Sequence, residues 1–200
     1  APGHRWGYFP SVSAGWTISE EDFMKSTKGW LDFLKLRASW GQVGNANINC
    51  YQYLAPVTTS NTNYNFGTDA SQSGWSTGSY PSRLANEGVK WETSEQLNVG
   101  IDARFINSRL SLTADWYIKK TKDWLVQAPV LATAGTQGPV INGGDVKNTG
   151  IELGLSWNDN IGKDFTYNVG ANFAYNKNEV GSIPTEDGII HGASNQIYSN

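Results

Sequence analysis

Between Lys90 and Tyr117 the chain reads KWETSEQLNVGIDARFINSRLSLTADWY, alternating apolar and polar residues on both sides of Ile106-Asn107-Ser108-Arg109. A period of two sends successive side chains to opposite faces of a strand, so this segment specifies an antiparallel hairpin with one apolar and one polar face. Closing it through a two-residue loop at Asn107-Ser108 sets Phe105 opposite Leu110, Ala103 opposite Leu112, Ile101 opposite Ala114, Val99 opposite Trp116 and Leu97 opposite Ile118. All five pairs are apolar. Beyond them, on the same face, Glu95 falls opposite Lys120 and Trp91 opposite Trp124, so the apolar band is bounded. Leu97 to Phe105, tilted at about 45°, nearly crosses the hydrocarbon layer of a membrane. The other face carries Asp102, Arg104, Asp115 and Lys119. That is too much charge for a dry core, where an unpaired ion costs several kcal/mol, and it calls for water.

The same alternation recurs along the chain. Tyr8, Pro10, Val12, Ala14, Trp16 and Ile18 form one face of a first candidate strand, and Leu34, Leu36, Ala38 and Trp40 alternate with Lys35, Arg37, Ser39 and Gly41 in a second. After the hairpin, near Asn148 to Trp157, Ile151, Leu153, Leu155 and Trp157 alternate with Gly150, Glu152, Gly154 and Ser156. Near Phe165 to Asn176, Phe165, Tyr167, Val169, Ala171, Phe173 and Tyr175 alternate with Thr166, Asn168, Gly170, Asn172 and Ala174. The pattern predicts six strands and hardly any amphipathic helix. Short links join strands one to two, three to four and five to six; in the first, Ser19-x-x-Asp22 is placed to cap a single helical turn. Long links, about 44–89 and 128–147, fall at the opposite end of the sheet, and long structureless loops of this kind usually carry function. Up-and-down strands of about ten residues, with short turns at one end and long loops at the other, are the organisation of an outer-membrane barrel.

Composition narrows the function. Charged residues are 16% and aromatics 12%, with nine Trp, nine Tyr and seven Phe, which suits aromatic-rich β-structure. A net charge of -3 without a basic cluster argues against nucleic acid. Cys50 is the single cysteine, and with His4 and His191 it cannot build a zinc set. No apolar run approaches the roughly 18 residues of a membrane helix, and the N-terminus has no signal-peptide pattern. Asn142, Asp145 and Asn148, or Asn158 to Asn160, offer oxygens but match no calcium loop. Gly41-x-x-Gly44 is followed by no helix and is no phosphate cradle. Glu92, Glu95 and Asp102 show no paired design, and no nucleophile neighbours a histidine. The sequence therefore gives no support to an enzyme, and no cofactor or metal is expected.

GYFPSVSAGWTISEEDF, WLDFLKLRASWGQVGN, VKWETSEQLNVGIDARFINSRLSLTADWYIKKTKDWL, VKNTGIELGLSW and FTYNVGANFAYNKNEV, in that order, resemble the barrel of the SusC/RagA class of TonB-dependent outer-membrane transporters. Val89 stands where Leu often precedes Lys90-Trp91-Glu92. The resemblance covers nearly the whole chain apart from the two long loops. It implies a Bacteroidetes-type importer with a barrel of about 22 strands, an N-terminal plug, TonB as energy source and a SusD-like surface lipoprotein as lid. The imported cargo would be oligosaccharides or, in some members, oligopeptides. The signal peptide, TonB box, plug and final aromatic-ended strand are not found here, so residues 1–200 are expected to be a partial barrel domain from the C-terminal half.

On this reading Leu97, Val99, Ile101, Phe105, Leu110, Leu112 and Trp116 face outer-membrane lipid, with Trp16, Trp40, Trp157 and Tyr175 at its interfaces. Lys35, Arg37, Asn98, Asp102, Arg104, Asp115 and Glu152 line the aqueous lumen. Tyr51, Tyr53, Tyr64, Phe66, Trp75 and Tyr80, set among Asn, Ser, Thr and Gly in an extracellular loop, suit stacking on a substrate's sugar rings, although aromatics in such loops mostly pack the loop on itself or on the lid. The alternative from another class is a soluble β-sandwich that grips carbohydrate with these aromatics and buries its apolar face under a second sheet.

Overall fold

The computed structural model describes residues 1–65, 75–183, 185, 188–191 and 196–198. Six long strands form one antiparallel sheet whose spatial order follows the chain: β1 (Ser11–Thr17), β2 (Leu31–Asn45), β3 (Glu92–Phe105), β4 (Leu110–Lys122), β5 (Val146–Ile161) and β6 (Phe165–Val180). This is the up-and-down meander expected of the alternation. All five apolar pairs of the central hairpin are in register as expected, and Glu95 stands opposite Lys120. Arg109 N donates to Ile106 O at 3.2 Å, with Asn107 and Ser108 at φ 55° and 59° between them. Positive φ at both central positions is the turn whose twist matches a hairpin.

The ladder ends at Thr93 and Lys122, so the expected Trp91–Trp124 pairing does not form. Trp91 instead meets the edge of Phe9, ring centres 5.8 Å apart, and donates to Arg5 O, while the Trp124 backbone bonds Gly143 and Gly144. The Ser19 cap is also absent. Two 3₁₀ turns, Ile18–Glu20 and Asp22–Thr27, fill the first link without side-chain caps, and Ser19 is buried inside the first of them. One feature without a sequence signal is the bulge between Leu31 and Phe33. The extra residue, Asp32, accepts from Ser108 N at 2.8 Å, and Trp30 stacks on Phe105 with centres 5.9 Å apart. These contacts tie the first link to the hairpin turn beside it.

The long links are not structureless. β2 runs on to Asn45 and β3 starts at Glu92, so the first link is shifted by two residues to 46–91, while the second, between Lys122 and Val146, starts earlier than expected and spans 123–145. In the first, Val57–Thr58 pairs with Tyr80–Pro81 and Asn63–Asn65 with Trp75–Thr77; in the second, Leu125–Gln127 pairs with Val140–Asn142. Phe66 lies outside the described residues.

Among the described residues only Leu31, Val89, Ala103 and Ile183 are buried apolar side chains. The apolar face is open: Val12 is 64% exposed, Phe173 59% and Val169 62%. A β-sandwich would cover this face with a second sheet, but the other described pairings are two-stranded. The sandwich alternative is thereby corrected to a single open wall. The apolar band also runs obliquely across that wall. The row through Ala14, the middle of the run Val12 to Trp16, passes Ala38, Val99, Trp116 and Ile151 and reaches β6 at Tyr175, the upper end of its run. The band's centre thus drops about five residues over five strand steps, which at roughly 3.3 Å per residue and about 4.8 Å per strand is a tilt of about 35°. Barrel strands tilt by that much; a level band would describe a flat sheet.

Candidate functional site

The polar face is assembled by register. Lys35 stands opposite Asp102, Arg37 opposite Gly100, and Ser39 opposite Asn98. Gly100 in turn faces Asp115, which faces Glu152 on β5. All seven residues expected to line water therefore share one face, and the seven expected to contact lipid share the other. Within the first set the structure brings three together. Arg37 Nε and Nη2 donate to the two oxygens of Asp102 at 2.7 and 3.0 Å, a bidentate fork, and Nη2 also donates to Asp115 Oδ2 at 3.1 Å. To reach Asp115 the guanidinium crosses β3 over Gly100. A Cβ at that position would lie 2.9 Å from Arg37 Nη2 and collide with the Asp115 carboxylate. Glycine is needed there to let a side chain lie across the backbone.

The other four have different surroundings. Lys35 stands in line with Asp102 but forms no ion pair among the described residues; its stem lies across Gly15 of β1. Arg104 places its guanidinium 4.5 Å from the centre of the Phe33 ring, a cation–π contact. Asn98 donates to Ser39 Oγ at 3.4 Å and accepts from Gln96 at 2.9 Å. Glu152 is exposed and unpaired among the described residues. Apart from Glu152, the face is uncharged along the paired rows of β5 and β6 around Asn178, which donates to Asn148 at 2.7 Å, and Asn168, which donates to Ser156 at 2.9 Å. Charge is concentrated on β2 to β4 and amides on β5 and β6.

The loop aromatics divide. Tyr51 and Tyr53 are neighbours, centres 6.4 Å apart, whereas Tyr64 and Trp75 flank the inner loop hairpin, largely exposed, and Tyr80 pairs with Thr58 lower down. Tyr51 and Tyr53 are thus a pair in ring contact, and Tyr80 sits on a different loop hairpin from Tyr64 and Trp75. The two long loops lock to each other, which the sequence did not signal. Leu84 N donates to Gln137 O and Gln137 N to Ser82 O, both at 3.1 Å, and Asn142 ties the loops to the wall through Lys90 O at 3.0 Å and Asp123 O at 2.9 Å. Between the loops lies a cleft of about 420 Å³ lined by Asn47, Asn49, Gln52, Arg83, Gln127 and Gln137. Five amides and a guanidinium can donate to and accept from hydroxyls or peptide groups alike. Their abundance of Asn and Gln was legible in the sequence; their convergence, across some ninety residues, was not. Asn142 serves as a backbone tie, and among the described residues no group of three His, Cys, Asp or Glu could hold a metal.

The profile of the family described as TonB dependent receptor-like, beta-barrel matches residues 2–196. The chain belongs to that family. It is 36% identical over 183 residues to TonB-dependent receptor P39 of Formosa agariphila, covering 92% of this chain and 17% of the relative. It is also 36% identical over 189 residues to TonB-dependent receptor SusC of Bacteroides thetaiotaomicron, covering 92% and 18%. The solved structure of the RagAB peptide transporter superposes with a TM-score of 0.80 at 29% identity, over 97% of this chain and 20% of that one. The chain thus spans less than a fifth of the curated relatives it matches. The SusC/RagA resemblance of the sequence is borne out by these relatives and by the RagAB structure.

Proposed function

We propose that residues 1–200 form part of the wall and two outer loops of a TonB-dependent transporter in the outer membrane of a Gram-negative bacterium. It imports oligosaccharides or oligopeptides, with a SusD-like lipoprotein over the loops and TonB supplying energy. The observation that supports this most is the oblique apolar band, bounded by charge and backed by a wet, charged face. In a bilayer the band lies against lipid, the Arg37 network faces the lumen, and the loop cleft lies on the path of incoming cargo. Similarity to the RagAB peptide transporter supports the oligopeptide arm, and the oligosaccharide arm rests on the SusC/RagA resemblance of the sequence.

The test is import by cells carrying the intact receptor and its lipoprotein, fed labelled oligosaccharides and oligopeptides in parallel. One class is expected to enter, to stop entering when TonB is deleted, and to enter severalfold more slowly when Gln52, Arg83 and Gln137 are replaced by Ala. Uptake that ignores TonB, or no uptake of either class, contradicts the proposal.

A further inference from the structure

The apolar face ends, at the long-loop end of the sheet, in lysines. Lys120 and Lys122 continue the series Leu112, Ala114, Trp116 and Ile118 on β4; Lys147 continues Ile151 and Thr149 on β5; Lys177 continues Phe173 and Tyr175 on β6. Four ammonium groups therefore sit on the apolar side just past its last hydrophobic rows. Their register matters. Lys120 stands directly opposite Lys147, and like charges facing each other across strands, with Cβ atoms about 5 Å apart, are destabilising.

The carboxylates nearby relieve that conflict only in part, because Glu179 is shared between Lys147 and Lys177 and none is paired with Lys120 among the described residues. Glu95, opposite Lys120 on the other side, accepts instead from Lys122 Nζ at 2.7 Å and from Trp40 Nε1 at 2.9 Å. Glu179, opposite Lys147, accepts from Lys177 Nζ at 2.6 Å and lies 3.5 Å from Lys147. Lys120 has no ion pair among the described residues. Lys120, Lys122, Lys147, Asp145 and Glu179 border an open hollow of about 610 Å³. Two acidic groups hold three lysines, Lys122 on Glu95 and both Lys177 and Lys147 on Glu179, and leave Lys120 as the cation without an ion pair among the described residues, facing Lys147 at the edge of the hollow.

We propose that this hollow binds the phosphate of an anionic lipid headgroup, with Lys120 and Lys147 on its oxygens and the acyl chains along Ile118, Trp116 and Ile151. This rests on the reading of the apolar face as lipid-facing. A phosphate shared by the two ammonium groups removes their repulsion, and lysine suits it as a compact point charge. Lipid is the source because the lysines adjoin the hydrophobic rows directly, so the ligand must be amphiphilic to use both.

The intact receptor is placed in phosphatidylcholine nanodiscs containing a minor fraction of phosphatidic acid, and retained lipids are counted by native mass spectrometry. Phosphatidic acid is expected to be enriched about tenfold over its bulk fraction, as two lysines at an anionic surface allow. The enrichment is lost in K120Q/K147Q, kept in K120R/K147R, and unaffected by K119Q on the opposite face. Inorganic phosphate at millimolar concentration should not displace it; displacement would overturn a lipid site in favour of a free anion. Insertion into the nanodiscs without enrichment, or enrichment unchanged in K120Q/K147Q, overturns the site alone. Failure to insert into pure phosphatidylcholine overturns the lipid-facing reading and the site with it.

Discussion

The two faces of this wall are made from alternate residues of the same strands, yet they are specified in different ways. On the apolar face any hydrophobic side chain of suitable size satisfies its surroundings, and across six strands the face holds Leu, Ile, Val, Ala, Phe and Trp in no fixed order. On the polar face identity matters at each position: the Arg37 fork needs Asp102 two residues from Gly100, Asp115 one strand further on, and no Cβ between them. One face is specified by solvent and the other by geometry. Substitutions should therefore fail by different rules on the two sides.

The largest effect is expected where solvent decides. Leu112→Lys in the intact barrel places an ammonium near the middle of the band and should cost about 2–4 kcal/mol, read from urea unfolding in lipid vesicles. An intermediate effect is expected where geometry decides. Gly100→Val drives a branched side chain between Arg37 and Asp115, and with limited room to relax should cost about 1–3 kcal/mol; Gly100→Ala should cost less. The network is partly exposed, so the loss of its ion pairs adds at most about 1 kcal/mol to that. The smallest effect belongs to a polar-face position outside the network. Asn98→Lys should stay within about 0.5 kcal/mol, because its long hydrogen bond to Ser39 is easily replaced by water. If Asn98→Lys costs as much as Leu112→Lys, the difference between the faces disappears.

These contrasts also explain what could be read from the sequence alone. Six strands and the hairpin register were legible because a period of two, once closed by Asn107-Ser108, permits one pairing that keeps the apolar residues together. The Arg37 network was not, although each of its residues was placed on the correct face. It depends on three strands being in register at once, and no periodicity along one strand encodes that. The bulge at Asp32 escaped because it serves a contact with a distant residue, Ser108; in the link before it a helical turn was legible, but its 3₁₀ form and the missing Ser19 cap were not. The loop cleft escaped for the same reason as the bulge, as Gln52 and Gln137 meet only after both loops have folded. The lysine row was visible as lysines, and became a like-charged pair only when Lys147 was set opposite Lys120.

The central claim, that one face meets hydrocarbon and the other water, can be measured directly. With Cys50 replaced, a spin label is attached in turn at each position from Leu97 to Phe105 of the intact receptor in a bilayer, and its collisions with dissolved oxygen and with a water-soluble nickel chelate are compared. Oxygen contact should peak at Leu97, Val99, Ile101, Ala103 and Phe105, and nickel contact at Asn98, Gly100, Asp102 and Arg104. Equal accessibility at neighbouring positions, or the opposite alternation, would contradict the account.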